Sequence, residues 1–132
     1  WERWNSLLDD GSISGTGMNS LNHYAYGSIA EWMYKHLAGL ESLTPGFTKV
    51  KMEPVIISRL GYLNCSFRSA AGLWKTAWKV MDKEHVSLDV TVPLNCSAEL
   101  KLPLCDEPVQ VLTSGSYHFE YAVKEPIRVE GK

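Results

Sequence analysis

Trp74-Lys75-Thr76-Ala77-Trp78-Lys79-Val80, followed after the turn-forming Asp82-Lys83-Glu84 by Val86-Ser87-Leu88-Asp89-Val90-Thr91-Val92, decides the fold of this chain. In both runs the bulky residues recur at every second position, the period of a strand with one face in a core. The pattern continues on either side. Leu63, Cys65 and Phe67 alternate with Asn64, Ser66 and Arg68; Ala98, Leu100 and Leu102 alternate with Glu99 and Lys101; Tyr117, Phe119 and Tyr121 alternate with His118 and Glu120. Turn formers separate the runs: Ala71-Gly72, Pro93-Leu94-Asn95, Asp106-Glu107-Pro108 and Ser114-Gly115. Short alternating strands at intervals of about 10–12 residues, with no helix between them, predict a mainly β chain built as an antiparallel β-sandwich. A parallel α/β sheet is excluded, because no connection could hold a crossover helix.

Upstream of Pro45-Gly46 the period changes. Leu21, Ala25, Ile29, Trp32, Met33 and Leu37 fall at three- and four-residue spacings, which predicts one long α-helix from about Ser20 to Ala38. Asn19 or Ser20 is placed to cap its start, and Gly39 sits where a left-handed residue ends a helix. Tyr24, Tyr26 and Tyr34 make much of the remaining surface aromatic, so the helix expects burial on more than one side, and Trp32 or Tyr34 is expected to bury against the sandwich. Residues 9–17, rich in glycine and hydroxyl side chains, read as a loop. Gly15-Thr16-Gly17 lacks the third glycine and the following Lys of a phosphate cradle, so nucleotide binding is not indicated.

The 132 residues are 45% hydrophobic and 21% charged, enough apolar material for a packed core. A formal net charge of −2, with no local Lys/Arg cluster, argues against nucleic acid as a partner. No apolar run approaches the roughly 20 residues that span a bilayer, so no membrane span is expected. Cys65, Cys96 and Cys105 show no CxxC spacing; they are expected to be free thiols, which favours a reducing, cytoplasmic location, although a secretion signal further upstream would change that. Asn64-Cys65-Ser66 and Asn95-Cys96-Ser97 match the N-glycosylation pattern and are taken as coincidence. The opening Trp1-Glu2-Arg3-Trp4 does not look like a free terminus, and the chain is expected to be a piece of a longer one.

Little on the sandwich suggests chemistry. His85 and His118 each lack a second ligand at a fixed spacing, so no metal site is expected there. Trp74 and Trp78 point the same way and would form a sugar-stacking platform if exposed, but their strand pattern favours the core. The front of the chain is richer. Glu2 lies between two indoles that raise a carboxyl pKa and beside Arg3, which lowers it; such opposition tunes a group for proton transfer. Together with His23, Asn22 and Tyr24, these residues supply stacking faces, hydrogen bonders and a carboxylate, as a sugar pocket needs.

Trp1-Glu2-Arg3-Trp4, Asp10-Gly11-Ser12 and the run from Met18 through Asn22-His23-Tyr24-Ala25-Tyr26-Gly27-Ser28 to Tyr34 resemble the end of the catalytic barrel of bacterial α-L-rhamnosidases, glycoside hydrolase family seventy-eight. The likeness continues through Ala38-Gly39-Leu40 and Pro45-Gly46-Phe47 into the β-rich tail. The resemblance implies a six-on-six helical barrel ending within residues 1–45, then a C-terminal sandwich over 46–132. It implies inverting hydrolysis of terminal α-L-rhamnose from glycosides or polysaccharides, without cofactor or metal. Glu2 would be the general base, His23 a pocket residue supporting base and substrate, and Trp1, Trp4, Asn22 and Tyr24 the substrate-binding residues. The general acid would lie upstream, so the missing N-terminal part of the parent is an expected partner, the chain alone is expected to be inactive, and a homo-oligomer is left open. A free-standing carbohydrate-binding or interaction sandwich is the rival reading; it would expose Trp74 and Trp78, whereas a tail domain would bury them.

Overall fold

Alternation becomes pairing along the second half of the chain. The computed structural model describes residues 5–17, 19 and 27–127 and divides the chain into two compact units, before and after the Glu31–Trp32 bond. In the second unit, β1 (Leu40–Ser42), β2 (Lys49–Met52), β6 (Ser97–Leu100) and β7 (Gln110–Leu112) form one four-stranded sheet in the order β1-β2-β6-β7. β3 (Tyr62–Ser69), β4 (Gly72–Val80), β5 (His85–Val92) and β8 (Gly115–Ala122) form the other, in the order β3-β4-β5-β8.

The second sheet is antiparallel throughout, and its register sets the core. Leu63 lies opposite Trp78, Trp78 opposite Leu88, and Leu88 opposite Phe119. One row over run Cys65, Thr76, Val90 and Tyr117. These rows face Leu40, Val50, Met52, Ala98, Leu100 and Leu112 of the first sheet in a single cluster. Trp74 and Trp78 are 0% and 2% exposed, so both are core residues.

Two expectations need correction. The first sheet is not wholly antiparallel: β2 and β6 run parallel, Lys49 opposite Ser97 and Met52 opposite Leu100. A parallel pair needs a long crossover, and here β3, β4 and β5 supply it in place of a helix. The helix also differs. Its described part is an α-helix, α1 (Ser28–Trp32), continued as a π-helical turn over Met33–Leu37. Only Leu37 of this segment is buried; Trp32 stays 45% and Tyr34 42% exposed, so neither aromatic buries as expected, although the Tyr34 ring meets Phe67 edge-on at 5.6 Å.

Gly39 ends the helix with φ +70°, as its position predicts. Pro45-Gly46 makes a type II turn: Gly46 has φ 77° and ψ 6°, and the Phe47 N–H donates to the Thr44 carbonyl at 3.2 Å. β1 lies before this turn yet hydrogen-bonds into the sandwich, so the sandwich begins upstream of Pro45.

Trp74 Nε1, Thr76 Oγ1 and Tyr121 OH are buried without a hydrogen-bond partner among the described residues, and the threonine is the simplest to correct. Thr76 is fully buried between Cys65 and Val90, and its Oγ1 has no hydrogen-bond partner among the described residues. Thr76→Val keeps the shape and removes a desolvated hydroxyl, so it is expected to stabilise the chain by about 1 kcal/mol. The check is a higher urea midpoint with an unchanged slope; a lower midpoint would mean that the hydroxyl is satisfied.

Candidate functional site

The first unit carries the sugar-pocket candidates. Trp1, Glu2, Trp4, Asn22, His23 and Tyr24 themselves lie outside the described residues, and so does Ser20. Residues 5–17 and 19, which lie between them, are described, and they close on themselves. Leu7 and Ile13 form an isolated antiparallel bridge. The Leu8 N–H donates to the Ser12 carbonyl at 2.8 Å, the Gly11 N–H to the Leu8 carbonyl at 2.9 Å, and the Ser14 N–H to the Ser6 carbonyl at 2.9 Å. Asp10 Oδ1 accepts from the Ser12 N–H at 2.9 Å and the Ser12 hydroxyl at 2.6 Å, and these bonds hold its pKa below the usual carboxylate range.

The sequence offers Asn19 as a helix cap. Its amide nitrogen instead donates to the carbonyls of Ser14 and, at 2.6 Å, Thr16. Ser6 and Asn19 are thus both hydrogen-bonded to Ser14, which draws the two ends of the loop together.

The sandwich offers no rival centre among the described residues. His85 Nδ1 lies 3.0 Å from both Asp82 carboxylate oxygens, and His118 Nδ1 lies 2.7 Å from Asp89 Oδ1. Each histidine has one exposed carboxylate beside it, and no group of three metal-ligating side chains is found among the described residues. Cys65, Cys96 and Cys105 are free thiols, and burial pushes the Cys65 pKa up. A shallow cleft of about 390 Å³ beside Cys105 is lined by Glu107 and by the exposed ion pair of Lys124 and Asp106, 2.8 Å apart. Burial of Trp74 and Trp78 removes the stacking platform that a free-standing sugar-binding sandwich would have needed. None of the described helices is long and apolar enough to cross a membrane.

The family described as the bacterial alpha-L-rhamnosidase C-terminal domain matches residues 39–117, almost the whole sandwich. The chain belongs to this family. The six-hairpin glycosidase domain of the bacterial alpha-L-rhamnosidases matches residues 1–37, so the two matches meet beside Gly39. Among curated relatives, an alpha-L-rhamnosidase of Alteromonas sp. (strain LOR) is 36% identical over 95% of this chain and 15% of its own length. One from Streptomyces avermitilis is 38% identical over 84% of this chain and 11% of its own. Native alpha-L-rhamnosidase from Aspergillus terreus superposes with a TM-score of 0.79 at 31% identity, covering 92% of this chain and 14% of that one. The Streptomyces avermitilis rhamnosidase, solved with L-rhamnose, gives 0.73 at 32% identity over 94% and 13%. The chain therefore spans between 11% and 15% of the curated rhamnosidases it matches, and it is a C-terminal part of such a protein.

Proposed function

We propose that this chain is the C-terminal part of an inverting α-L-rhamnosidase, which removes terminal α-L-rhamnose from glycosides or polysaccharides. The observation that carries the proposal is the pair of family matches, one on each side of Gly39, over a sandwich whose tryptophans are buried. Glu2 acts as the general base and activates water. His23 steadies base and sugar, while Trp1, Trp4, Asn22 and Tyr24 line the pocket.

Inversion needs two carboxyl groups roughly 6.5–9.5 Å apart, one to protonate the leaving oxygen and one to activate water. This chain contributes the second, and the upstream part of the parent contributes the first. A domain seam near Gly39 belongs to this reading; the pairing of β1 with β2 and the meeting of the two family matches there support it.

The purified 132-residue chain is therefore expected to release no nitrophenol from p-nitrophenyl α-L-rhamnoside, while the full-length enzyme turns it over and yields β-L-rhamnose first, seen by NMR. Turnover by the chain alone would place a complete acid–base pair within it. An α-configured first product would replace inversion with retention.

A further inference from the structure

Residues 9–17 are rich in glycine and short hydroxyl side chains, a composition that leaves a loop many conformations. Such a loop keeps one shape only where bonds close it. The Leu7–Ile13 bridge closes its tip, and the bond from the Ser14 N–H to the Ser6 carbonyl closes the turn below. Beyond Ser14 the chain is drawn back by the Asn19 side chain, whose Nδ2 donates to the carbonyls of Ser14 and Thr16.

An amide suits this task. Its nitrogen carries two N–H donors, and the two carbonyls take one each. The reverse orientation would set Oδ1 against two carbonyl oxygens, so the bonding fixes which way the amide lies. Oδ1 is left buried, with no partner among the described residues. A buried acceptor without a donor is unfavourable, so the orientation is set by what the nitrogen holds.

The clasp joins the two ends of the candidate pocket. Ser6 comes two residues after Trp4, and Asn19 three residues before Asn22. By chain length alone, Trp4 stands within about 7 Å of Ser6 and Asn22 within about 11 Å of Asn19. Ser14 bonds to both Ser6 and Asn19, so the chain enters and leaves this loop at one knot.

We propose that Asn19 is a positioning residue of the pocket: by clasping the loop, its amide fixes the segment that bears Glu2 relative to the segment that bears His23. The proposal rests on the reading of Glu2 as the base and His23 as a pocket residue. Asn19 itself need touch neither sugar nor water. Catalysis is sensitive to such placement, since an error of about 1 Å can cost about 10²-fold in rate.

The full-length enzyme carrying Asn19→Asp tests the proposal. The substitution keeps the size and replaces the two N–H donors with a carboxylate facing two carbonyls. At neutral pH kcat/KM is expected to fall by about 10- to 100-fold, in an enzyme whose unfolding midpoint shows it folded. On acidification the carboxyl gains one O–H donor, so activity relative to wild type should recover. Asn19→Ala has no donor at any pH and should show no recovery. Asp9 and Asp10 titrate in all three proteins and cancel in the ratio. Hydrogen exchange reads the clasp without substrate: the Ser14 amide should exchange several-fold faster in Asn19→Ala than in wild type. Faster exchange with full activity would show a clasp that positions nothing. Unchanged exchange with lost activity would give Asn19 a direct role at the substrate. Either result overturns the proposal, as does an Asn19→Asp enzyme with no recovery in acid. A wild-type enzyme with a protected Ser14 amide but no rhamnosidase activity would instead remove the reading of Glu2 and His23, and the proposal with it.

Discussion

Replacing Glu2 with Gln in the full-length enzyme is expected to lower kcat by about 10²–10⁴-fold while KM moves little. The substitution keeps the size and most hydrogen bonds of the side chain and removes its basicity. A general base acts only as water loses its proton, so its loss falls on the transition state and spares substrate binding. Azide separates this role from a structural one. It is an anionic nucleophile that needs no base, so it should partly restore turnover in Glu2→Ala and give an inverted β-rhamnosyl azide. His23→Ala should differ: a pocket hydrogen bonder holds substrate and transition state alike, so KM rises as kcat falls and azide gives no rescue. A Glu2→Gln enzyme keeping more than about a tenth of the wild-type kcat would remove Glu2 from the mechanism, since losing a general base costs at least about 10²-fold.

The largest expected effect on stability is at Gly39, between helix and sandwich. A methyl group there would meet two penalties. The backbone has φ +70°, a region in which a side chain is strained, and the added carbon would fall onto the Glu53–Pro54 peptide, 2.7 Å from the Glu53 carbonyl oxygen. Its neighbours are backbone atoms that cannot rotate aside. They are held in place because the Glu53 N–H donates to the Gly39 carbonyl at 3.1 Å. Gly39→Ala is expected to destabilise the fold by about 2–5 kcal/mol, the sum of one strained residue and one overpacked contact. Gly46→Ala is the control: it has a similar φ of +77° but no atom within 4 Å, so only the strain should appear. Equal midpoint losses for the two variants in urea unfolding would show that the Glu53–Pro54 contact is relieved without cost.

The sandwich was legible because alternation reports directly which face of a strand is wet. Trp74, Trp78, Leu88 and Val90 were placed in the core by period alone, and all four are buried. Partner choice leaves no such local trace. Nothing within Lys49–Met52 says that its neighbour is Ser97–Leu100, or that the two run parallel. The three-residue strands β1 and β7 are too short for a period to show. The helix was legible as a helix, and Gly39 as its end. Its π-helical turn was not, because apolar spacing does not distinguish a carbonyl bonded to the fourth residue on from one bonded to the fifth, as Met33 is to Ala38. For the site, residue chemistry suggested a sugar pocket, but its specific roles came only with the resemblance. The Asn19 side chain illustrates the limit: a short amide before a helix can cap it or close the loop behind it, and composition favours neither.

The parallel pairing of β2 with β6 has a consequence for how the protein is made. Chains emerge from the ribosome N-terminus first, and domains tend to fold as units once their sequence is available. The helix leaves the tunnel before its partner does: the indole N–H that meets its Leu37 carbonyl, at 3.4 Å, comes from Trp78. Lys49–Met52 must then wait for Ser97–Leu100 before Val50 and Met52 are covered. Such distant pairings slow folding. The helix thus gains this anchor only after β4 has been made, and a nascent chain stopped before β6 would present unfinished apolar surface to the cell's quality control.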